Sequence, residues 1–195
     1  IIVVNCKAGI EVGTEKAWEL CEEYRLPRMF FVTNMDDDHA SFRELILKLE
    51  KRFGRKIAPF QVPIRENEKF VGFVNVVKMA GRRFTNFSDY EECEIPEYTK
   101  KNLGIIRDAL IEAVAETSEE YMERYFAGEE FTQDEIYTAV QTHVWQGDIV
   151  PVFMGSGITC QGFQARFNAI YRYFPSPDLG VCIGVDVCNC VRFRC

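Results

Sequence analysis

The chain has 195 residues, 47% hydrophobic and 27% charged, with 13 Gly, 7 Pro and a formal net charge of −7. That composition is ordinarily globular and excludes collagen-like, low-complexity and wholly disordered classes. The acidic balance disfavours a grip on nucleic acid through net charge. No apolar run approaches the roughly 18 residues of a spanning helix, so no membrane partner is expected.

Ile1-Ile2-Val3-Val4 is a short apolar strand that stops at Asn5. It lacks the basic region and cleavage pattern of a signal peptide. A strand at residue 1 with no initiator Met is expected of a piece of a longer chain. The 8 Cys are too few for a disulfide scaffold, and a reducing cytoplasm is the expected location. Residues 14–24 place Ala17, Leu20, Cys21 and Tyr24 at helical spacing, and Pro27 stops that helix. Residues 28–33 form a second strand. The clearest helix spans 40–53, with Phe42, Leu45, Ile46, Leu49 and Phe53 on one face and Gly54 as its stop. Residues 58–64 form a third strand, marked by Pro59 and Pro63 as irregular or near an edge. This alternation predicts a parallel sheet with covering helices.

The character changes after Ile64. Residues 70–84 are strand-like, with a break expected at Gly81. Residues 89–135 then hold 15 acidic and 4 basic side chains, a local balance of −11. Helices are expected at 97–116, 118–126 and 132–143, the last opened by a Thr132/Glu135 capping box. A strand at 149–153, a Gly-Ser-Gly turn and a helix at 162–173 restore the alternation, and Pro175-Ser-Pro177 reads as a linker. The expected organisation is an α/β domain (1–64 and 148–178) interrupted by an acidic α+β insert (65–147), with a Cys-rich tail at 179–195.

In open α/β sheets ligands bind beyond the carboxyl ends of the strands. Two such ends are polar: Thr33-Asn34-Met35-Asp36, and Gly155-Ser156-Gly157. A carboxylate such as Asp36 can accept two parallel N–H bonds from guanine, whose ring N–H and exocyclic amine lie side by side; adenine lacks that pair. A Ser-Gly turn can offer backbone N–H to the guanine carbonyl. Taken alone, Asp36 also reads as a cap or turn carboxylate before the helix at 40–53. Cys182, Cys188, Cys190 and Cys195 lack the paired C-x₂₋₄-C spacing of a zinc knuckle, and no metal site is expected. His39 and His143 have no partner at metal or nucleophile spacing, and Trp18 and Trp145 read as packing residues.

Residues 1–178 resemble the second half of the GTP-binding domain of elongation factor G, a translational GTPase, together with its inserted subdomain. The resemblance rests on Ala8-Gly-Ile-Glu-Val-Gly-Thr-Glu-Lys-Ala-Trp18, Phe31-Val-Thr-Asn-Met-Asp36, Phe73-Val-Asn-Val-Val-Lys-Met79, Glu119-Glu-Tyr-Met-Glu-Arg-Tyr125 with Gly128-Glu-Glu130, and Pro151-Val-Phe-Met-Gly-Ser156 leading to Tyr173-Phe-Pro-Ser-Pro177. It implies part of a P-loop-type GTPase fold, a mostly parallel sheet with flanking helices. The family's guanine-reading Asn-Lys-x-Asp falls on Thr33, Asn34, Met35 and Asp36, with only the Asp retained. Thr33 replaces an amide with a shorter hydroxyl. Asn34 replaces a Lys whose aliphatic stem packs along the base. The family's Ser-Ala turn falls on Ser156-Gly157, and Arg166 stands where the family has an apolar residue.

No Gly-x-x-x-x-Gly-Lys-Ser/Thr occurs. By the resemblance, the phosphate and Mg²⁺ ligands and the catalytic His lie before Ile1, so this stretch holds no catalytic residue and is expected to be inactive alone. The intact protein is then a cytoplasmic, monomeric GTPase that binds GTP and GDP and couples hydrolysis to movement of the tRNA–mRNA complex on the ribosome. Two alternatives stay open: a GTPase of ribosome rescue, recycling or antibiotic protection, and a ribosome-binding module with weak or no nucleotide binding, motivated by Thr33 and Asn34. On the helix at 97–116, Leu103, Ile106, Leu110 and Ala113 face inward, while Asp108, Glu112 and Glu116 recur at i, i+4 as a like-charged stripe. Only Arg107 and the lysines at 100 and 101 are near enough to relieve it. The bland reading is a solvated face. The resemblance makes the stripe a contact for the lysine-bearing stalk protein of the large ribosomal subunit.

Overall fold

The computed structural model describes residues 1–174 except 55, 68, 87, 88 and 117. The Pro175–Pro177 linker and the Cys-rich tail expected at 179–195 lie outside the described residues. In chain order the elements are β1 (Ile2–Asn5), α1 (Val12–Glu23), β2 (Phe30–Thr33), α2 (Phe42–Phe53), β3 (Ile57–Pro59), β4 (Gln61–Glu66), β5 (Lys69–Asn75), β6 (Ala80–Phe84), β7 (Tyr90–Cys93), α3 (Glu97–Ala115), α4 (Glu119–Phe126), α5 (Gln133–Gln146), β8 (Val150–Met154) and α6 (Phe163–Tyr173).

The strands form a parallel sheet in the order β1-β2-β8-β3 and an antiparallel sheet in the order β4-β5-β6-β7. The protein is thus mixed α/β, with helices flanking the parallel sheet. β2 and β8 are central and buried on both faces, which is why their sequences are continuous apolar runs rather than alternating ones. Phe30, Val32, Val150, Val152 and Met154 pack into one core with Trp18 of α1 and with Phe42, Leu45, Leu49 and Phe53 of α2. Met29, Phe31 and Phe153 point the other way, into a second core built from α3, α5, α6 and the antiparallel sheet. The α2 face expected from its spacing is the buried one, and Gly54 caps its end at φ 93°.

Two local expectations are corrected, and one strand is unforeseen. The single strand expected at 58–64 is two strands in two sheets. Pro59 closes the parallel pairing with Val152, the Phe60 N–H still donates to the Val152 carbonyl (3.1 Å), and the Phe60 carbonyl then accepts from Val76 in the antiparallel layer (3.0 Å). Gly81 does not break the strand at 70–84; the turn falls at 76–79 and Gly81 lies inside β6. A Cβ there would stand 2.5 Å from the Cys93 carbonyl oxygen, so the residue is glycine because β7 lies close against it. β7 itself, Tyr-Glu-Glu-Cys, hides in the acidic stretch. It is an edge strand whose Glu91 and Glu92 lie opposite Arg83 and Arg82.

The helices of the acidic stretch form near their expected bounds. Thr132 and Glu135 make the reciprocal capping box at α5. Arg124 reaches Glu135 at 2.7 Å from α4, and that hydrogen bond first, then those from Thr132, hold the Glu135 carboxyl down to about 2. Among the described residues no helix is long and apolar enough to cross a membrane.

Candidate functional site

Parallel register brings the carboxyl ends of three strands into one row, with Asn5 opposite Thr33 and Val32 opposite Met154. Backbone bonding continues past the strand ends: Cys6 N–H donates to Thr33 O (3.0 Å), Gly155 N–H to Val32 O (2.9 Å) and Met35 N–H to Gly155 O (3.3 Å). The segments 33–36 and 155–157, far apart in sequence, are therefore adjacent at one edge of the sheet, as the reading of the strand ends anticipated.

Within the first segment, Thr33 Oγ1 donates to Val4 O over a long 3.4 Å and ties β2 to β1. Asn34 has φ 60°, a left-handed conformation that Asn tolerates better than most residues. The turn at Asn34 sends Met35 into the core, fully buried. Asp36 follows, half-buried, and its Oδ1 is enclosed without a hydrogen-bond partner among the described residues. The cap of α2 is Ser41, whose Oγ accepts from Glu44 N–H. The turn carboxylate is Asp37, which accepts from His39 N–H at 2.9 Å and from Lys7 at 3.4 Å. Both of the bland roles open to Asp36 in the sequence thus belong to its neighbours.

The second segment closes on itself. Ser156 is fully buried, its Oγ accepts from Ile158 N–H (3.2 Å) and Thr159 N–H (3.1 Å), and its own N–H donates to Gln161 O (3.0 Å). Of the Ser-Gly pair, the N–H left for a ligand is that of Gly157, which is exposed and has open space around it. A Cβ on Gly155 would meet Gln161 O at 2.4 Å and Phe31 Cζ at 2.8 Å, so only glycine lets the turn fold this close to β2.

Sequence reading missed one residue at this site. Arg65 of β4 sends Nη2 to Met35 O at 2.8 Å and Nη1 to Asp37 O at 3.5 Å, and so holds the 34–38 loop from the antiparallel sheet. Its only signal in the sequence is a charge straight after Val62-Pro63-Ile64, and Glu66 beside it blurs even that. Cys6 lies beside the same loop. Burial pushes its thiol up to about 11 against the opposing pull of Arg65, so it is a packed thiol and not a nucleophile at neutral pH.

The remaining candidates lie elsewhere. Asp108, Glu112 and Glu116 are exposed on α3. Arg107, expected to relieve them, instead turns to the carbonyls of Val76 (2.9 Å) and Val77 (2.6 Å), and Lys100 pairs with Glu97. Among the described ion pairs none involves the three stripe carboxylates. His39 is exposed before α2, and His143 on α5 stands 3.3 Å from Asp148. Trp18 stacks on Phe53 at 4.4 Å, and Trp145 donates to Tyr173 O. Arg166 lies over Phe163 at 4.4 Å and Phe31 at 4.9 Å, so its flat guanidinium packs on aromatic faces. Among the described residues no group of three His, Cys, Asp or Glu could hold a metal ion.

The strand-end site offers the Asp36 carboxylate, which takes part in none of the hydrogen bonds among the described residues, and the exposed Gly157, groups that can accept from and donate to a flat polar edge. Residues 1–176 match the family described as Elongation factor Tu GTP binding domain. The crystal structure of ttk003000868 from Thermus thermophilus is similar, with a TM-score of 0.81 and 33% sequence identity over 89% of this chain. The present chain covers 26% of that protein's length. The chain belongs to the elongation factor Tu GTP-binding domain family.

Proposed function

We propose that this chain is the base-recognising half of the GTP-binding domain of an elongation factor G-like GTPase. On this reading the complete protein works in the cytoplasm as a monomer, hydrolyses GTP and couples hydrolysis to movement of tRNA and mRNA on the ribosome. The observation that carries the reading is that the Asp36 carboxylate takes part in none of the hydrogen bonds among the described residues, in a segment joined to the turn that exposes Gly157 by the Met35 N–H to Gly155 O bond. A carboxylate left without donors is open to the paired N–H groups of guanine. Asp36 would accept those two bonds and the Gly157 N–H would donate to the guanine carbonyl. Thr33 and Met35 would shape the loop, and Asn34 would cover less of the base than a Lys stem. The phosphates and Mg²⁺ would take their ligands from other parts of the protein, where the bond-breaking chemistry belongs.

The test is nucleotide titration of the protein that carries this chain. A charged hydrogen-bond pair contributes roughly 1.5–3 kcal/mol, so Asp36→Asn should weaken GDP binding about ten- to a hundredfold and shift preference towards xanthine nucleotides. Unchanged affinity and base preference in that variant would remove Asp36 from recognition. Absence of GDP binding in the unaltered protein would favour a ribosome-binding module.

We further propose that the stripe Asp108, Glu112 and Glu116 steers the lysine-bearing stalk protein of the large ribosomal subunit. Support comes from its exposure and from the diversion of Arg107 to backbone carbonyls, with none of the three carboxylates in an ion pair among the described residues. Replacing all three with Lys should slow ribosome-stimulated GTP turnover with GDP affinity unchanged, and the defect should shrink as salt rises. Normal stimulated turnover at low salt would return the stripe to a solvated face.

A further inference from the structure

A cleft of about 240 Å³ opens between the two sheets, and none of the residues 33–36 or 155–157 lines it. Its walls come from Phe60, β4, β5, the β5–β6 turn, β6, β7, α5, β8 and α6. Three cations line it, Lys78, Arg82 and Arg172, and no Asp or Glu does. In a chain of net charge −7 that is a local inversion of sign. The nearest compensation is Glu92, 3.7 Å from Arg82, but Glu92 is 79% exposed and stands outside the lining. Among the described residues neither Lys78 nor Arg172 has an ion-pair partner.

Both guanidinium groups lie over ring faces, and among the described residues only that of Arg82 also has a carboxylate near it. Arg82 lies over Tyr90 at 4.4 Å and Arg172 over Tyr137 at 4.7 Å. Stacking orients a guanidinium without using up its in-plane donors, of which each carries several. A fourth donor sits on the inner wall. Gln61 is 1% exposed, and its Oε1 accepts from Met154 N–H at 3.0 Å, which fixes the orientation of the amide. Its Nε2 then has no acceptor among the described residues. The rest of the wall is aromatic, chiefly Phe60, Phe73 and Phe153.

We propose that this cleft is a second ligand site, for a small organic phosphate. Arginine forks match phosphate oxygens in pairs, and a dianion answers three cations lining one cleft better than a single carboxylate does. The aromatic wall favours a ligand with an apolar body over a bare anion. Sites for drug-sized ligands measure about 300–1,000 Å³, so this smaller cleft admits one ring or a short carbon chain and no folded peptide.

Phenyl phosphate, inorganic phosphate and benzoate, titrated separately into the 195-residue chain and followed by ¹H–¹⁵N NMR, separate the possibilities. Phenyl phosphate should bind saturably and at least about fivefold more tightly than either comparison anion, with shifts at the Gln61 side-chain amide, Lys78 and Tyr173. Affinity should fall about tenfold in Arg172→Gln and in Lys78→Gln, and should not change in Asp36→Ala, which separates this site from the proposed guanine site. Should Arg172→Gln fail to fold, Arg172→Lys keeps the charge without the fork and should still lose several-fold. Equal binding of phenyl and inorganic phosphate, shifts centred on Met35 and Gly157, or insensitivity to both cavity substitutions would overturn the proposal.

Discussion

The loop after β2 and the loop after β8 meet across one backbone hydrogen bond but are held by different means. Residues 155–162 fold on their own local bonds: Ser156 caps two following N–H groups, Gln161 O returns to Ser156 N–H, and Gly155 and Gly162 leave no room for side chains. Residues 34–40 have local turn bonds at Asn34 and Asp37, but their outer supports are Lys7 from one side of the sequence and Arg65 from the other. One half of the proposed base site is therefore set by the chain beside it. The other half depends in addition on Arg65, a side chain from the second sheet, so loss of that one side chain acts directly on the 34–38 loop and not on the 155–162 loop.

The comparison breaks most sharply at Gly155. A Cβ there overlaps Gln161 O and Phe31, and overpacking of that kind costs about 1–3 kcal/mol. Gly155→Ala should lower the thermal midpoint of the whole chain, since the self-closed loop cannot give way without moving β2. A midpoint within about 1 °C of the original would show that the loop is softer than its bonding implies. Arg65→Ala should act the other way round. The guanidinium bonds are half-exposed, so a loss of about 1 kcal/mol is expected, read as GDP affinity weaker by about fivefold. Stability should change little, and Arg65→Lys should restore part of the affinity. Unaltered GDP affinity in Arg65→Ala would mean that the 34–40 loop holds itself.

The smallest effect is a pH dependence confined to one loop. The His39 N–H first, then Lys7, hold the Asp37 carboxyl below its ordinary value of 3.8. A carboxylate depressed in the folded state contributes order above its unfolded pKa and loses it as the pH falls through the lower, folded value. The amide of His39 should therefore titrate with a midpoint below 3.8, while the amide of Gly157 stays unmoved. A shared transition of both amides would join the two loops into one unit.

The same contrast explains what was legible in the sequence. The loop after β8 could be read because its determinants are contiguous: a buried apolar strand, then Gly-Ser-Gly, then helical spacing. Asp36 could be placed at a strand end for the same reason, and Phe42 to Phe53 declared their buried face by period alone. Arg65 could not be read, because its partners are 28 and 30 residues away and pattern reasoning sees only neighbours. The division at Phe60 was hidden by an apolar run that serves two sheets in succession. β7 was hidden by its charges, which an edge strand carries without penalty when arginines stand opposite. Arg107 was assigned to the wrong neighbours: its spacing on α3 fits the acidic stripe, but the tertiary fold offers it two carbonyls.

The placement of β8 has a consequence for how the chain acquires its shape during synthesis. β8 lies between β2 and β3, yet it is reached only at residue 150, long after β3 has ended at residue 59. Until then β2 and β3 have no common partner, and closing the gap carries the entropy of a long loop. The antiparallel strands β4 to β7 pair with sequence neighbours and face no such delay. The antiparallel layer should therefore form before the parallel sheet is complete, and so shorten the loop that β8 must close. In refolding, pulsed hydrogen exchange should protect the amides of β5 and β6 before those of β2 and β8.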